Sequence, residues 1–308
     1  MSIPGRVLIA GAAGQLGREL QRSFADFGEI VAVDRESVDL AVPEQVRTLV
    51  QQVKPSVILN AAAYTAVDRA ESERELAMAI NAEAPRVLAE EARQKGALLV
   101  HYSTDYVFDG TRQGPWTEDD PAYPLSVYGE SKLAGEKAVQ QVGGPSLIFR
   151  TSWVYGPHGK NFLLTMLRLA SERESLSVVD DQVGAPTSSI ALADATRTIV
   201  EGISERRFGT PASWAGLYHM TCSGSTSWYE FAEAIFARAG TLLDGRQPEV
   251  RPIASSEYPT PAKRPRNSVL SNERLQAKLG VRLPSWEEGL DEVLEVLRSG
   301  QRQASAAQ

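Results

Sequence analysis

The segment GAAGQLG, residues 11–17, constrains the fold of this chain more than any other stretch. It follows the short apolar run RVLIA and precedes a segment whose apolar residues recur at helical spacing. In this strand–turn–helix context, the first glycine permits a tight turn and the second lets backbone N–H groups approach a pyrophosphate. The third glycine lets the helix pack close to the strand. The helix N-terminus adds partial positive charge there. The pattern therefore predicts a dinucleotide-binding loop.

The rest of the first half repeats this alternation of strand and helix. Short, nearly continuous apolar runs predict buried strands at 6–11, 29–34, 56–63, 97–104 and 146–156. Between them, helical patterns cover residues 15–28, 43–53, 73–96 and 125–142. Apolar strands that alternate with helices are typical of a parallel sheet covered on both faces. We therefore expect an α/β protein with a Rossmann-type doubly wound parallel sheet and a smaller C-terminal α/β substrate domain.

The second half is less regular. Helical patterns cover 161–174, 188–204, 227–240 and 286–300, and a Pro- and Arg-bearing stretch at 251–270 reads as extended or looped. We expect a dinucleotide-binding domain from residues 1–152 and 185–221. The substrate domain would comprise 153–184 and 222–298, and residues 299–308 would form a disordered tail.

Composition excludes several classes of protein. With 308 residues and a net charge of −7, the chain has an acidic surface that disfavours nucleic acid and anionic membranes as partners. No apolar run approaches the roughly 20 residues of a membrane span. The single cysteine, Cys222, allows no internal disulfide and fits a reducing cytoplasm. One cysteine and three scattered histidines show no metal-ligand spacing, so we predict no metal site.

The second predicted strand ends in Asp34 and Arg35, about 20 residues after the glycine-rich loop. An acidic residue there accepts hydrogen bonds from the adenosine ribose of NAD, whereas an arginine meets the 2′-phosphate of NADP. Because both residues are present, the choice between NADH and NADPH stays open.

Tyr128 and Lys132 stand four residues apart in the segment VYGESK. On a helix this spacing places both side chains on one face. A nearby ammonium favours the phenolate and lowers the pKa of tyrosine from its ordinary value near 10. Such a tyrosine is able to protonate an alkoxide as hydride reaches a carbonyl carbon. Gly129 lies between the pair, and we interpret it as room for a ligand close to the helix.

The segment STDYVFDG ends a predicted strand at the carboxyl edge of the sheet, where α/β proteins bind ligands. Thr104 is placed to donate to a substrate carbonyl oxygen, and Asp105 to contact sugar hydroxyls. Near the C-terminus, Arg264 and Arg266 are candidates for a substrate diphosphate, because the planar guanidinium matches phosphate oxygens.

Taken together, the motifs resemble the extended short-chain dehydrogenase/reductases and, among them, the dTDP-4-dehydrorhamnose reductase family. The resemblance spans residues 6–298 and is carried by GAAGQLG, NAAAYTAVDRAE, STDYVFDG, VYGESKLAGE, FRTSWVYG, DQVGAPT and YPTPAKRPRNSVL. It implies that Thr104, Tyr128 and Lys132 are the catalytic group and that Trp153 lies beside the deoxysugar. The cofactor-lining positions that it implies are Gly11, Ala13, Gly14, Gln15, Leu16, Asp39, Leu40, Ala62, Ala63 and Tyr64, together with Tyr128 and Lys132.

The resemblance also implies a reaction. This is the NAD(P)H-dependent reduction of the C4 keto group of dTDP-4-dehydro-6-deoxy-L-mannose to dTDP-L-rhamnose by a monomer or homodimer. Related sugar-nucleotide 4,6-dehydratases have a glutamate where this chain has Tyr106, which favours simple reduction. Two alternatives stay open: a reductase of another nucleotide-linked 4-keto sugar, and a noncatalytic cofactor-binding regulatory subunit. Some family members are Mg²⁺-dependent, but GAPTSSIAL lacks the glutamate expected in those members.

Overall fold

The computed structural model describes residues 5–243 and 245–306. Along this part of the chain the strands are β1 (Arg6–Ala10), β2 (Glu29–Val33), β3 (Val57–Asn60), β4 (Leu98–Thr104), β5 (Ser146–Thr151), β6 (Val154–Tyr155), β7 (Ser175–Val179), β8 (Val183–Gly184), β9 (Thr187–Ser188), β10 (Gly216–His219), β11 (Thr226–Ser227) and β12 (Glu249–Ile253). The helices are α1 (Gln15–Ser23), α2 (Pro43–Val53), α3 (Val67–Ala70), α4 (Arg74–Met78), α5 (Ala84–Lys95), α6 (Val127–Val142), α7 (Phe162–Glu172), α8 (Ser189–Ser204), α9 (Pro211–Trp214), α10 (Trp228–Ala239), α11 (Glu273–Leu279) and α12 (Trp286–Ala306). Five residues of π-helix, Ala79–Glu83, join α4 to α5.

A six-stranded sheet forms the centre of the molecule, in the order β10-β5-β4-β3-β1-β2. Every pairing in it is parallel. The expected α/β fold with a Rossmann-type parallel sheet is confirmed. Because β1 pairs with β2 on one side and β3 on the other, the strand order reverses at β1. Ligands of open α/β sheets bind at such a switch point, outside the carboxyl ends of the strands.

Burial follows the position of each strand in the sheet. All residues of β3 and β4 are buried, as are the four residues of β1 after Arg6. The prediction of a buried strand at 29–34 was wrong in one respect. The strand exists, but β2 is the edge of the sheet, and only Val33 in it is buried. Its outer side has no neighbouring strand among the described residues.

Helices cover both faces of the sheet, as expected for a doubly wound fold. On one face, Leu20 and Phe24 share a hydrophobic cluster with Val7, Ile9 and residues of α8. On the other, α2 and α5 pack against Leu8, Ile58 and Leu99. The alternating register of β1 therefore sends successive apolar side chains to opposite layers.

The remaining elements form smaller sheets and helices around residues 153–188 and 222–298. Here β7 pairs in parallel with β12, β8 pairs with β11 in antiparallel fashion, and β6 pairs with β9. The first residues of the stretch 251–270, predicted to be extended or looped, thus belong to β12. Helix α12 runs through Ala306 and so extends into the predicted tail of 299–308, whose last two residues lie outside the described part. Within the described ranges no helix is both long and apolar enough to cross a membrane.

Candidate active site

The glycine-rich loop has the geometry of a phosphate cradle. Gly11 has φ +83°, and a Cβ there would lie 2.7 Å from the backbone nitrogen of Ala62, so the loops that follow β1 and β3 touch at the switch point. A Cβ at Gly17 would lie 2.1 Å from the Gly11 carbonyl oxygen. Helix α1 starts after Gly14 without a side-chain cap, and Ala13 and Gly14 are exposed. An uncapped helix N-terminus on an open loop fits the pyrophosphate of a dinucleotide.

Gln15 ties this loop to the second half of the chain. Its Oε1 accepts a hydrogen bond from Asn161 Nδ2 at 2.9 Å, and Asn161 also caps α7 by accepting from the Leu164 N–H. Leu16 packs on the main hydrophobic cluster. The loop is therefore fixed from both sides.

Asp34 and Arg35 lie just beyond the carboxyl end of β2, beside the loop. Gly11 and Ala12 donate to the carbonyl of Val33, and the Asp34 carboxylate accepts from the Glu36 N–H at 3.0 Å. Arg35 is exposed. Their predicted contact with the adenosine ribose or its 2′-phosphate stays a prediction.

Asp39 and Leu40 belong to the turn before α2. The Asp39 carboxylate accepts from the Ala41 N–H at 2.9 Å, and Leu40 packs on the hydrophobic layer that covers α2 and α5. Their predicted contact with the cofactor stays a prediction.

The segment Ala62–Tyr64 continues β3 at the carboxyl edge and is held by Asn81, a residue of the π-helical segment. Asn81 accepts from the Tyr64 N–H at 2.8 Å, and it donates to the Tyr64 carbonyl and to Ser131 Oγ at 3.0 Å each. One buried amide thereby joins the strand extension to α6. Sequence reasoning missed Asn81, because a π-helical insertion within a long helical pattern leaves no distinct signal.

Helix α6 carries Tyr128 and Lys132 on one face, as the spacing predicts. The helix begins after Ser126, whose hydroxyl accepts from the Gly129 N–H. Lys132 is fully buried and its Nζ donates to the Tyr102 carbonyl of β4 at 2.6 Å. The helix is thus anchored to the strand that ends in Thr104.

Thr104 and Asp105 lie at the carboxyl end of β4, next to Tyr128. Thr104 Oγ1 donates to Asp105 Oδ1 at 2.9 Å, and the Thr104 hydroxyl lies close enough to the Tyr128 phenol to lower its pKa. Asp105 Oδ2 is buried without a partner among the described residues. The structure therefore brings Thr104, Asp105 and Tyr128 together, with the Asp105 carboxyl buried beside the Thr104 hydroxyl.

The electrostatics of the pair differ from the expectation. Burial raises the pKa of the Tyr128 phenol to about 12, opposed by the nearby Thr104 hydroxyl. Burial also lowers the pKa of Lys132 to about 8. The expected lowering of the Tyr128 pKa by Lys132 is therefore wrong, because desolvation raises this pKa and Lys132 is not among the groups that lower it. At neutral pH Tyr128 is protonated and Lys132 is largely charged.

The interpretation of Gly129 was also wrong. A Cβ at this position would lie 2.2 Å from the Tyr106 carbonyl oxygen and 2.9 Å from Cβ of Pro124. The space beside Gly129 is filled by the chain itself, which packs the first turn of α6 against the segment after Thr104. Gly129 thus determines how closely Tyr128 approaches Thr104.

Trp153 lies just after β5 in the left-handed region, with φ +47°. Its indole stacks on Trp228, the first residue of α10, with centroids 3.5 Å apart and planes 7° from parallel. Gly184 leaves room for the same indole, since a Cβ there would lie 2.5 Å from Trp153 Cε2. One face of Trp153 is therefore covered by Trp228, a partner that the sequence analysis missed.

The two arginines near the C-terminus differ in their surroundings. Arg264 Nη2 donates to Asp68 Oδ2 at 2.9 Å, the guanidinium also donates to Thr260 Oγ1, and the Tyr106 phenol lies nearby. Arg266 is exposed. Since the Tyr106 ring lies edge-on to Tyr128 at 5.5 Å, Arg264 belongs to the neighbourhood of the site, with a carboxylate already bound.

A nucleotide cradle at the switch point, beside a Thr/Tyr/Lys group on β4 and α6, defines the chain as an extended short-chain dehydrogenase/reductase. Comparison with known proteins narrows the class. The family model for the RmlD substrate binding domain matches residues 5–299. The dTDP-4-dehydrorhamnose reductase of Burkholderia thailandensis is 50% identical over 286 residues, covering 91% of this chain and 95% of that protein. The Escherichia coli K12 enzyme of the same name is 45% identical, with 94% of this chain and 97% of that enzyme covered.

Comparison with solved structures gives the same family. The dTDP-4-dehydrorhamnose reductase of Bacillus anthracis, determined in complex with NADP, superposes with a TM-score of 0.85 at 39% identity. The match covers 94% of this chain and 99% of that chain. The chain belongs to the dTDP-4-dehydrorhamnose reductase family.

Proposed function

We propose that this chain reduces the C4 keto group of dTDP-4-dehydro-6-deoxy-L-mannose to a hydroxyl, giving dTDP-L-rhamnose, with NADPH or NADH as coenzyme. One observation carries the proposal: the hydroxyls of Thr104 and Tyr128, here called the hydroxyl pair, lie close together at the carboxyl end of β4. Membership of the reductase family supplies the substrate class.

The residues of the chain perform the proton chemistry. When bound, the reduced coenzyme supplies a hydride to C4. Thr104 and Tyr128 donate hydrogen bonds to the C4 oxygen, where negative charge develops as hydride arrives. Because the raised pKa keeps the phenol of Tyr128 protonated, it holds the proton that the new hydroxyl requires. Lys132 supplies a positive charge next to the coenzyme ribose.

Remote contacts position the ketone. Asp105 lies next to Thr104 on the side where the sugar would bind, and Trp153 presents apolar surface to the 6-deoxy methyl group. Binding energy from the nucleotide diphosphate at Arg264 would hold C4 at the hydroxyl pair. We expect the reaction in the cytoplasm and the active species to be a monomer or homodimer.

The Tyr128→Phe variant tests the proposal. It removes the proton donor and keeps the ring, so turnover of the keto sugar should fall by about 100-fold or more. Coenzyme affinity and thermal stability should stay close to those of the unmodified chain. Tyr123→Phe is the matched control, because Tyr123 is exposed and removes a phenol outside the hydroxyl pair. Near-normal turnover in Tyr128→Phe would contradict the assignment.

A further inference from the structure

A buried ion pair lies one helical turn beyond Lys132. Glu136 of α6 is 1% exposed and Arg150 of β5 is 4% exposed. Arg150 Nε donates to Glu136 Oε1 at 2.9 Å, and Arg150 Nη2 donates to Glu136 Oε2 at 2.7 Å. A two-pronged pair of this kind fixes the carboxylate in one orientation.

The same carboxylate holds the helix to the strand that carries Thr104. Ser103 Oγ donates to Glu136 Oε1, and the preceding residue, Tyr102, accepts from Lys132 Nζ through its carbonyl. Lys132 and Glu136 therefore bind consecutive residues of β4. These two bonds set the register of Tyr128 against Thr104.

We propose that Glu136, held by Arg150, is a positioning residue that keeps the Lys132 ammonium charged and docked against β4. The inference rests on the proposed function, because it concerns the same site. Lys132 is buried and its ammonium donates to a backbone carbonyl, a neutral acceptor. A buried ammonium in such surroundings tends to lose its proton unless a negative charge lies nearby. Glu136 supplies that charge and opposes the lowering of the Lys132 pKa by burial.

The other titratable groups that face this layer have pKa values away from 8, so only Lys132 should change its charge near pH 8. They are Tyr128, His101 on β4, Asp105 after β4 and His219 on β10. Burial lowers the pKa of His101 well below its ordinary value and that of His219 to about 3, so both rings are neutral. Burial raises the pKa of Asp105 to about 6 and that of Tyr128 to about 12. Loss of activity around pH 8 should therefore report the Lys132 ammonium.

Two substitutions should move that pH in opposite directions. Glu136→Gln removes the negative charge and leaves Arg150, so the alkaline fall of kcat/KM should shift down by about one pH unit. Arg150→Met leaves the carboxylate unneutralised, so the fall should shift up. The double variant should still shift the fall down, because it lacks the carboxylate that opposes the effect of burial on Lys132, but by less than Glu136→Gln, since it leaves no unpaired guanidinium. Each single variant alone gives the direction of the pH shift, so if one variant does not fold, the other still tests the proposal.

A second readout needs no sugar. The dissociation constant of NADPH, followed by fluorescence across pH 6–10, should show the same opposite shifts, since Lys132 contacts the coenzyme in the proposed site. Glu91→Gln is the matched control. Glu91 is 2% exposed and pairs with Arg47 at 3.5 Å, so its loss should lower stability without moving either profile.

The outcomes distinguish a positioning role of Glu136 from a purely structural one. Opposite shifts in the two single variants support the assignment of Glu136. If the variants lose stability while both pH profiles stay in place, the pair is only structural and the inference is overturned. If the unmodified chain reduces no keto sugar but the NADPH profiles shift in opposite directions, the proposed function fails and the role of Glu136 stands.

Discussion

Trp153 and Trp228 stack face to face between the end of β5 and the start of α10, with ring centroids 3.5 Å apart. The backbone of Trp153 is left-handed at φ +47°, a conformation that is unfavourable for a bulky residue. Strained residues persist where surrounding contacts hold them, and they cluster at ligand sites. The stack therefore offsets the backbone cost and fixes the indole beside the proposed sugar position.

Removal of Trp228 tests this relationship. In Trp228→Ala the Trp153 indole loses its stacking partner, and an aromatic pair contributes about 0.5–1.5 kcal/mol beyond area burial. We expect KM for the keto sugar to rise by up to about tenfold, with little change in the dissociation constant of NADPH. The KM of Trp228→Phe should lie between those of Trp228→Ala and the unmodified chain. An unchanged KM in steady-state assays of Trp228→Ala would show that the stack has no role in sugar binding.

Gly129→Ala tests the packing of α6 against the Tyr106 carbonyl. The added Cβ would lie 2.2 Å from that oxygen, so the first turn of the helix must move away. We expect a loss of about 1–3 kcal/mol in the free energy of unfolding and a marked fall in kcat, because Tyr128 moves with the turn. Gly300→Ala is the control, since nothing lies within 4 Å of a Cβ there. Urea unfolding and turnover assays decide. A variant with normal stability and altered KM alone would restore the earlier interpretation of Gly129 as ligand room.

The central fold was predictable because its signals are local. A strand that ends in glycine and leads into an amphipathic helix predicts a βαβ unit, and helix α2 has the predicted bounds, Pro43–Val53. Pairings between distant residues were not predictable. The β7–β12 pair joins segments about 70 residues apart, and β12 contains Pro252, which disfavours a strand assignment.

The candidate site was predictable where sequence spacing alone places side chains together, as it does for Tyr128 and Lys132 on one face of α6. It was not predictable where burial decides. The raised pKa of Tyr128 and the buried Glu136–Arg150 pair depend on how α6, β4 and β5 pack together. Glu136 does stand four residues after Lys132, but only the structure shows that Arg150 meets it.

The contact of Arg264 with Asp68 predicts that substitutions of the two residues change KM for the keto sugar in opposite directions. Asp68 Oδ2 lies 2.9 Å from Arg264 Nη2, so the carboxylate neutralises the guanidinium and would repel a diphosphate. If Arg264 binds the substrate diphosphate, Arg264→Gln should raise KM by about tenfold or more, and Asp68→Asn should lower it. Arg251→Gln is the control, because Arg251 pairs with Glu249 on the exposed strand β12. A higher KM in Asp68→Asn would instead assign the pair to holding the loop around Arg264.

The buried carboxyl of Asp105 should make stability depend on pH. Burial raises its pKa to about 6 from an ordinary value of 3.8, so the folded chain holds this proton more tightly than the unfolded chain. The stabilisation is complete below pH 3.8 and is lost as pH rises through about 6, because the ionised carboxylate is then buried. Asp105→Asn should therefore gain on the order of 2–3 kcal/mol relative to the unmodified chain between pH 4 and 7.5. Urea unfolding of both chains at the two pH values measures the difference, and an equal change in both would contradict the prediction.

A chelator should leave turnover unchanged. In the described part of the chain no group of three or more His, Cys, Asp or Glu side chains is arranged to hold a metal. Near α1, Arg22 donates to the carboxylates of Glu19 and Asp194 at 2.8 Å each. Arg22 thus binds one oxygen of each carboxylate, and its positive charge opposes the binding of a Mg²⁺ ion there. Enzyme dialysed against EDTA should keep its kcat, and added Mg²⁺ should raise neither kcat nor Tm.

The Arg22→Ala variant is the informative comparison, because it frees both carboxylates. Only in that variant do we expect Mg²⁺ to raise Tm, since any ion that binds the folded chain alone stabilises it. Loss of turnover in EDTA that Mg²⁺ restores in the unmodified chain would show that the reductase needs the metal.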